Sequence, residues 1–168
     1  MKGLENELYL IAYMISNAVA IILLTLAFKY HKIARVLFAV LFGWASWINW
    51  QTSLNSPQSY LEYADFAMLD VYRQFIEGWF SKHVSQMVPV IATCQGLIAI
   101  GLLLKGWLYQ AACLGAIVFL LAIMPLGVGS GFPCTFIMAV AMALLFRKQH
   151  SWVWQIKKGT KPFMVAVD

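Results

Sequence analysis

Two side-chain amides sit where an amide is costly: Asn17 falls near the middle of the apolar run Leu8 to Phe28, and Gln95 near the middle of Val84 to Leu104. An amide in hydrocarbon loses free energy unless it is hydrogen-bonded. Both are therefore expected to face the interior of a helix bundle, bonding each other, a backbone carbonyl left free by Pro89, or the polar head of a ligand. The other concentration of chemistry is Ser56 to His83. It holds Glu62, Asp65, Asp70 and Glu77, four of the seven acids, against Arg73 and Lys82. Asp70, Arg73 and Glu77 are spaced to pair along one helix face, as on a solvated surface. The alternative is a partner-facing surface made of Glu62, Asp65, Asp70, Arg73, Glu77 and His83.

Little else in the chain suggests a reaction. No apolar run carries Asp, Glu, Lys, Arg or His near its middle, which disfavours an ion pump. His31, His83 and His150 fall at connections or interfaces, where they do not suit a haem held between facing helices. Of the three, His83 alone is expected on the acidic side, as an interfacial residue or as a proton exchanger or weak metal ligand. No zinc-type spacing is present, and no metal site is expected. Cys94, Cys113 and Cys134 are single, without a CxxC pair, and read as small apolar filler. Gly127 to Gly131 lacks the lysine and strand context of a phosphate loop. An enzyme ranks last, since no convincing base or nucleophile stands out.

The elements that must position the amides are membrane spans. Of 168 residues, 62% are hydrophobic and 11% charged, far from the near-quarter charge of a soluble domain. A bilayer core roughly 30 Å thick needs about 20 apolar residues in a helix. Runs at about 8–28, 33–50, 84–104, 107–125 and 132–146 meet or approach that length, the last being short. The whole of 1–168 reads as a single membrane domain, with no cleaved leader expected. Trp44, Trp47 and Trp50 place the far end of the second run at a headgroup interface. Ser56-Pro57 is a good helix start, and the 3.6-residue period predicts an amphipathic helix over about 57–80, lying on the membrane or folded over the bundle. Only Phe66 and Phe80 break its pattern. Gly96, Gly101, Gly115 and Ala116 suggest close packing of the third and fourth spans.

The net charge of +5 does not point to nucleic acid, because the basic residues adjoin hydrophobic spans. With five spans, nine of the twelve Lys and Arg fall on one side, in the turn 29–35, at Lys105 and in the tail 147–168. The positive-inside rule then puts the N-terminus and acidic segment outside and the C-terminus in the cytoplasm. The tail, with Trp152 and Trp154, suits an interfacial segment on anionic lipid.

The order of parts resembles the DoxX-like family of small integral membrane proteins over about residues 33–146. The likeness lies in a span ending in aromatics, the outer stretch Tyr60 to Phe80, then three closely spaced spans. Gln95-Gly96-Leu97 is followed by Gly101-Leu102-Leu103-Leu104 and a glycine-rich turn. Gln95 stands where the family often has an acid. The resemblance implies a four-helix core, to which Leu8 to Phe28 adds an N-terminal span, in families linked to quinol-oxidising complexes, thiol-redox systems and membrane-protein assembly. The fold class expected is thus all-α, a polytopic bundle of five transmembrane helices in the cytoplasmic membrane of a bacterium.

Two functions follow as expectations. One is a non-catalytic partner or accessory subunit of a respiratory or thiol-redox membrane complex, with the outer surface as its docking face. The other is a binding protein or carrier for a quinone, lipid or other small apolar ligand, touching Asn17, Gln95, Trp47 and Trp50; no other cofactor is expected. The orientation has a direct readout: a cysteine introduced near Asp70 should react with an impermeant reagent on intact cells, and a tag after Lys161 only once the cells are opened. The reverse pattern contradicts it.

Overall fold

The computed structural model describes residues 5–148, and the basic tail expected on anionic lipid lies outside them beyond Lys148, with His150, Trp152 and Trp154. Helix α1, Glu7–Lys29, starts where Asn6 Oδ1 accepts from the Leu8 amide at 2.9 Å, satisfying an amide that the helix cannot. Glu7 and Lys29 complement the helix dipole at its two ends. A single non-helical residue, Tyr30, separates α1 from α2, His31–Asn55. The basic turn expected over 29–35 is therefore one residue long, and Lys32 and Arg35 belong to a helix. Helix α2 also runs five residues past Trp50, the expected end of the second span, to Asn55.

After α2 come a 3-10 turn, Pro57–Glu62, and two short helices, α3 (Tyr63–Phe66) and α4 (Asp70–Phe75). A wide π turn, Ile76–Phe80, leads without a break into α5, Ser81–Leu103. Helix α6 is Gly106–Ile123, and a 3-10 hairpin, Met124–Ser130, returns the chain to α7, Cys134–Lys148. Four stretches are long and apolar enough to cross a membrane: Glu7–Lys29, His31–Asn55, Asp70–Leu103 and Gly106–Ser130. Helix α7 has 15 residues, about 22 Å at 1.5 Å per residue. Large apolar side chains such as Leu8, Met14, Val40, Leu97, Trp107 and Val118 point outward, which suits lipid rather than water.

The single amphipathic helix expected over 57–80 is not what forms. It breaks at Ala67–Leu69, where the Met68 amide leaves the helix to bond Pro125 O at 2.8 Å. That bond ties the segment to the α6–α7 hairpin, while Tyr72 OH donates to Ala122 O at 2.8 Å. The break also resets the helical phase. Phe66, expected on the polar face, packs edge-on to Tyr9 with centroids 5.5 Å apart. The segment is thus a cap folded over one end of the bundle.

Small residues set the helix spacing. Helix α5 packs along α2, where a Cβ on Gly96 would lie 3.1 Å from Ser46 Oγ and one on Gly43 3.8 Å from Ala99 Cβ. Against α6 the approach is tighter, since a Cβ on Gly101 would meet Ala112 Cβ at 2.7 Å. Gly96 therefore serves the α2–α5 contact, while Gly101 and Gly115 serve α5–α6.

The end away from the cap is pinned by Arg35, which is fully buried. Its Nε donates to Leu102 O at 3.0 Å, its Nη2 to Leu104 O at 2.6 Å, and its guanidinium lies 4.0 Å from the Tyr109 ring centroid. The last carbonyls of α5 have no partner within the helix, so a cation satisfies both their lone pairs and the negative helix end. Tyr109 OH in turn donates to Leu145 O at 2.7 Å, and Lys148 Nζ to Phe28 O at 2.9 Å. Four helices are thereby joined around one arginine and one tyrosine. Arg35→Ala is expected to cost about 3 kcal/mol or more in reversible unfolding in mixed micelles, whereas replacing lipid-facing Val36 by Ala should change stability little.

Candidate functional site

A cavity of about 810 Å³ opens between the cap and the helices. At the Arg35 end, α5 and α6 touch through Gly101 and Ala112, leaving no space. Towards the cap, Val88 and Ile91 of α5 face Phe119, Leu120 and Ile123 of α6 across the cavity. Phe42 and Ala45 of α2 and Met138 of α7 close its floor, and Tyr72, Phe75, Ile76 and Phe80 of the cap segment close its top. Tyr72 and Phe75 belong to the apolar half expected from the helical period, whereas Phe80 was expected to project from the polar side. The walls are thus overwhelmingly hydrocarbon and aromatic.

One corner is polar. Tyr60 OH donates to Asn49 Oδ1 at 2.8 Å, and Asn49 Nδ2 donates to Gln95 Oε1 at 2.7 Å. Gln95, 3% exposed, lies on the cavity wall. The chain of bonds has a direction, because each group spends its acceptor on the donor before it. With its oxygen occupied by Asn49, Gln95 presents Nε2, a pure donor. Thr135 of α7, 4% exposed, lines the same cavity, and its Oγ1 is buried without a hydrogen-bond partner. An unpaired buried hydroxyl costs about 1–3 kcal/mol and marks a place where a partner is wanted. Burial also raises the pKa of the Tyr60 and Tyr63 phenols above their usual value near 10. Both stay neutral donors at any physiological pH.

The remaining expected site residues are distributed differently. Asn17 does not meet Gln95. Its Nδ2 bonds Tyr13 O at 2.9 Å and Gly131 O at 3.2 Å, joining α1 to the start of α7, while its Oδ1 is buried and unpartnered. Its neighbour Ser16, not Asn17 itself, lines the cavity. Trp47 and Trp50 are 58% and 40% exposed on the outside of α2 and are not part of the lining. Glu62, Asp65, Asp70 and Glu77 are exposed. Arg73 pairs with Asp70 at 3.8 Å and donates to Ala64 O at 3.2 Å, a surface pair of little energetic weight. His83 stacks on Trp79 with centroids 4.3 Å apart, its Nδ1 lying 2.8 Å from Trp79 O. Cys94 is exposed and Cys113 and Cys134 are buried; all three are free thiols.

Sequence reasoning missed Asn49 and Tyr60. The signal for Asn49 was available: Gly43, Ser46, Asn49 and Ser53 recur at three- and four-residue spacing and mark one small, polar stripe on α2. Ser46 on that stripe donates to Ala92 O at 2.6 Å, so the stripe is the face that meets α5. Among the described residues no three His, Cys, Asp or Glu side chains are grouped to hold a metal ion, and the polar corner offers neutral donors. Comparison of the chain with protein-family models, with curated proteins and with solved structures finds no match.

Proposed function

We propose that this protein is a membrane-embedded binding protein or carrier for a small apolar molecule whose head accepts hydrogen bonds, of the quinone or lipid class. The observation that carries this reading is a largely apolar cavity of about 810 Å³ whose lining includes the buried Gln95 amide, its oxygen bonded to Asn49, and the unpartnered Thr135 hydroxyl. Such a pocket, largely apolar with a few convergent polar groups, is how small-molecule sites are commonly built. Acceptor oxygens on the head answer these donors, and a ring or chain fills the aromatic and aliphatic remainder. The resemblance of residues 33–146 to DoxX-like proteins agrees with a quinone among the candidates. In this reading α7 is a fifth, short span, its basic end snorkelling to the cytoplasmic surface, and the cap faces outward. Of the two functions expected from the sequence, the cavity favours the ligand binder over the accessory subunit.

Extraction in mild detergent followed by mass spectrometry of the organic extract tests this. A quinone or lipid is expected at near one per chain, with occupancy surviving gel filtration. Thr135→Val should leave the ligand-free protein as stable as the parent or slightly more so, since it removes an unpaired hydroxyl, yet weaken retention. Gln95→Leu should weaken it about tenfold, the effect of one hydrogen bond in a dry site. A stoichiometric protein partner with an empty extract contradicts the proposal and favours the accessory subunit.

A further inference from the structure

The second cavity, about 490 Å³, shares Tyr60, Tyr63 and Asn49 with the first and has a different character. Five aromatic rings, Tyr9, Tyr13, Tyr60, Tyr63 and Phe66, share its lining with neutral hydroxyl and amide side chains. Tyr60 and Tyr63 stack with centroids 6.2 Å apart at 26°, and Tyr9 meets Phe66 at 5.5 Å and 75°. Gly129 joins the two pairs. A Cβ there would fall 2.5 Å from Tyr63 Cδ1 and 3.5 Å from Phe66 Cδ2, so a glycine allows both rings against the hairpin. Glu62 is the one charged residue of the lining. Arg73, the arginine of the cap, is turned to Ala64 O and Asp70 instead.

Aromatic faces carry negative potential and attract cations, most strongly those that give up their water easily. A small metal ion is commonly held by several carboxylates among its oxygen ligands, and Glu62 is the lining's one carboxylate. An alkylated ammonium has apolar methyl groups to set against rings and a diffuse charge to set near Glu62. We propose that this outer cavity binds an organic cation of the alkylammonium class. The same chemistry is offered by a free quaternary amine and by the headgroup of a choline lipid. The proposal stands apart from the apolar cavity, since it uses Tyr9, Phe66 and Glu62, which do not line that space.

The test is calorimetric titration of the full chain in phosphatidylglycerol nanodiscs, with empty discs as the blank. The probes are choline and its uncharged isostere 3,3-dimethylbutan-1-ol. Choline should bind saturably and the isostere at least about tenfold more weakly. Glu62→Gln should weaken choline severalfold, Tyr9→Leu about tenfold, and Tyr9→Phe, which keeps the ring face, hardly at all. Repeating the titration in phosphatidylcholine discs separates the sources. A lower apparent affinity for added choline identifies the lipid headgroup as occupant, and an unchanged one a free cation. Folded protein that shows no saturable choline binding in either disc, or that binds choline and the isostere alike, overturns the proposal, as does Tyr9→Leu binding like the parent.

Discussion

The hydrogen bond from Asn49 Nδ2 to Gln95 Oε1, 2.7 Å long, is the contact on which the rest of the arrangement turns. Two amides within an apolar bundle have few ways to be satisfied, and pairing them across two helices fixes register as well as distance. The gain is modest, about 0.6 kcal/mol for such bonds in membranes. The cost of leaving either amide unpaired is what makes the register firm. Ser46 to Ala92 O, one turn away on α2, locks the same seam. With α2 and α5 held this closely, the space that remains lies where α5 and α6 part towards the cap.

That space is shaped from both ends. Arg35 gathers the last carbonyls of α5 and the Tyr109 ring, so the helices converge where the chain turns from α5 to α6. At the opposite end the cap segment is held to the hairpin by Met68 and to α6 by Tyr72, and it roofs the gap instead of filling it. Packing at one end and bridging at the other leave a cavity. Tyr60 completes the design, because its hydroxyl occupies Asn49 Oδ1 and so orients the whole chain of donors towards Gln95 Nε2.

The helices were legible from hydropathy because the bilayer demands long apolar runs, and α1, α5 and α6 end within three residues of where the runs end. Gln95 was legible as an inward-facing residue for the same reason: it is 3% exposed. Its partner was not, since hydropathy says which residues avoid lipid but not which helices touch. Asn17 and Gln95 look equivalent in sequence, yet one bonds the α7 hairpin and the other α2. Arg35 was hidden by its neighbours: beside Lys29 and Lys32 it reads as one more basic residue in a turn. Only the three-dimensional proximity of the α5 C-terminus gives it an inward direction. The cap misled for a different reason. Its helical periodicity is real, but the backbone bond from Met68 to Pro125 outweighs the local preference for continuing the helix.

The most direct measurement of the central claim is photocrosslinking. A 1,4-quinone with a diazirine on its tail would be illuminated with the protein in nanodiscs, and the adducts mapped by peptide mass spectrometry. Adducts are expected on the cavity walls, at Val88, Ile91, Phe119 and Ile123, and should disappear when unlabelled quinone is added. Adducts spread instead over the lipid-facing residues Leu97, Ile100 and Val118, at a level that competitor leaves unchanged, would show that the cavity lined by Gln95 and Thr135 does not hold such a molecule.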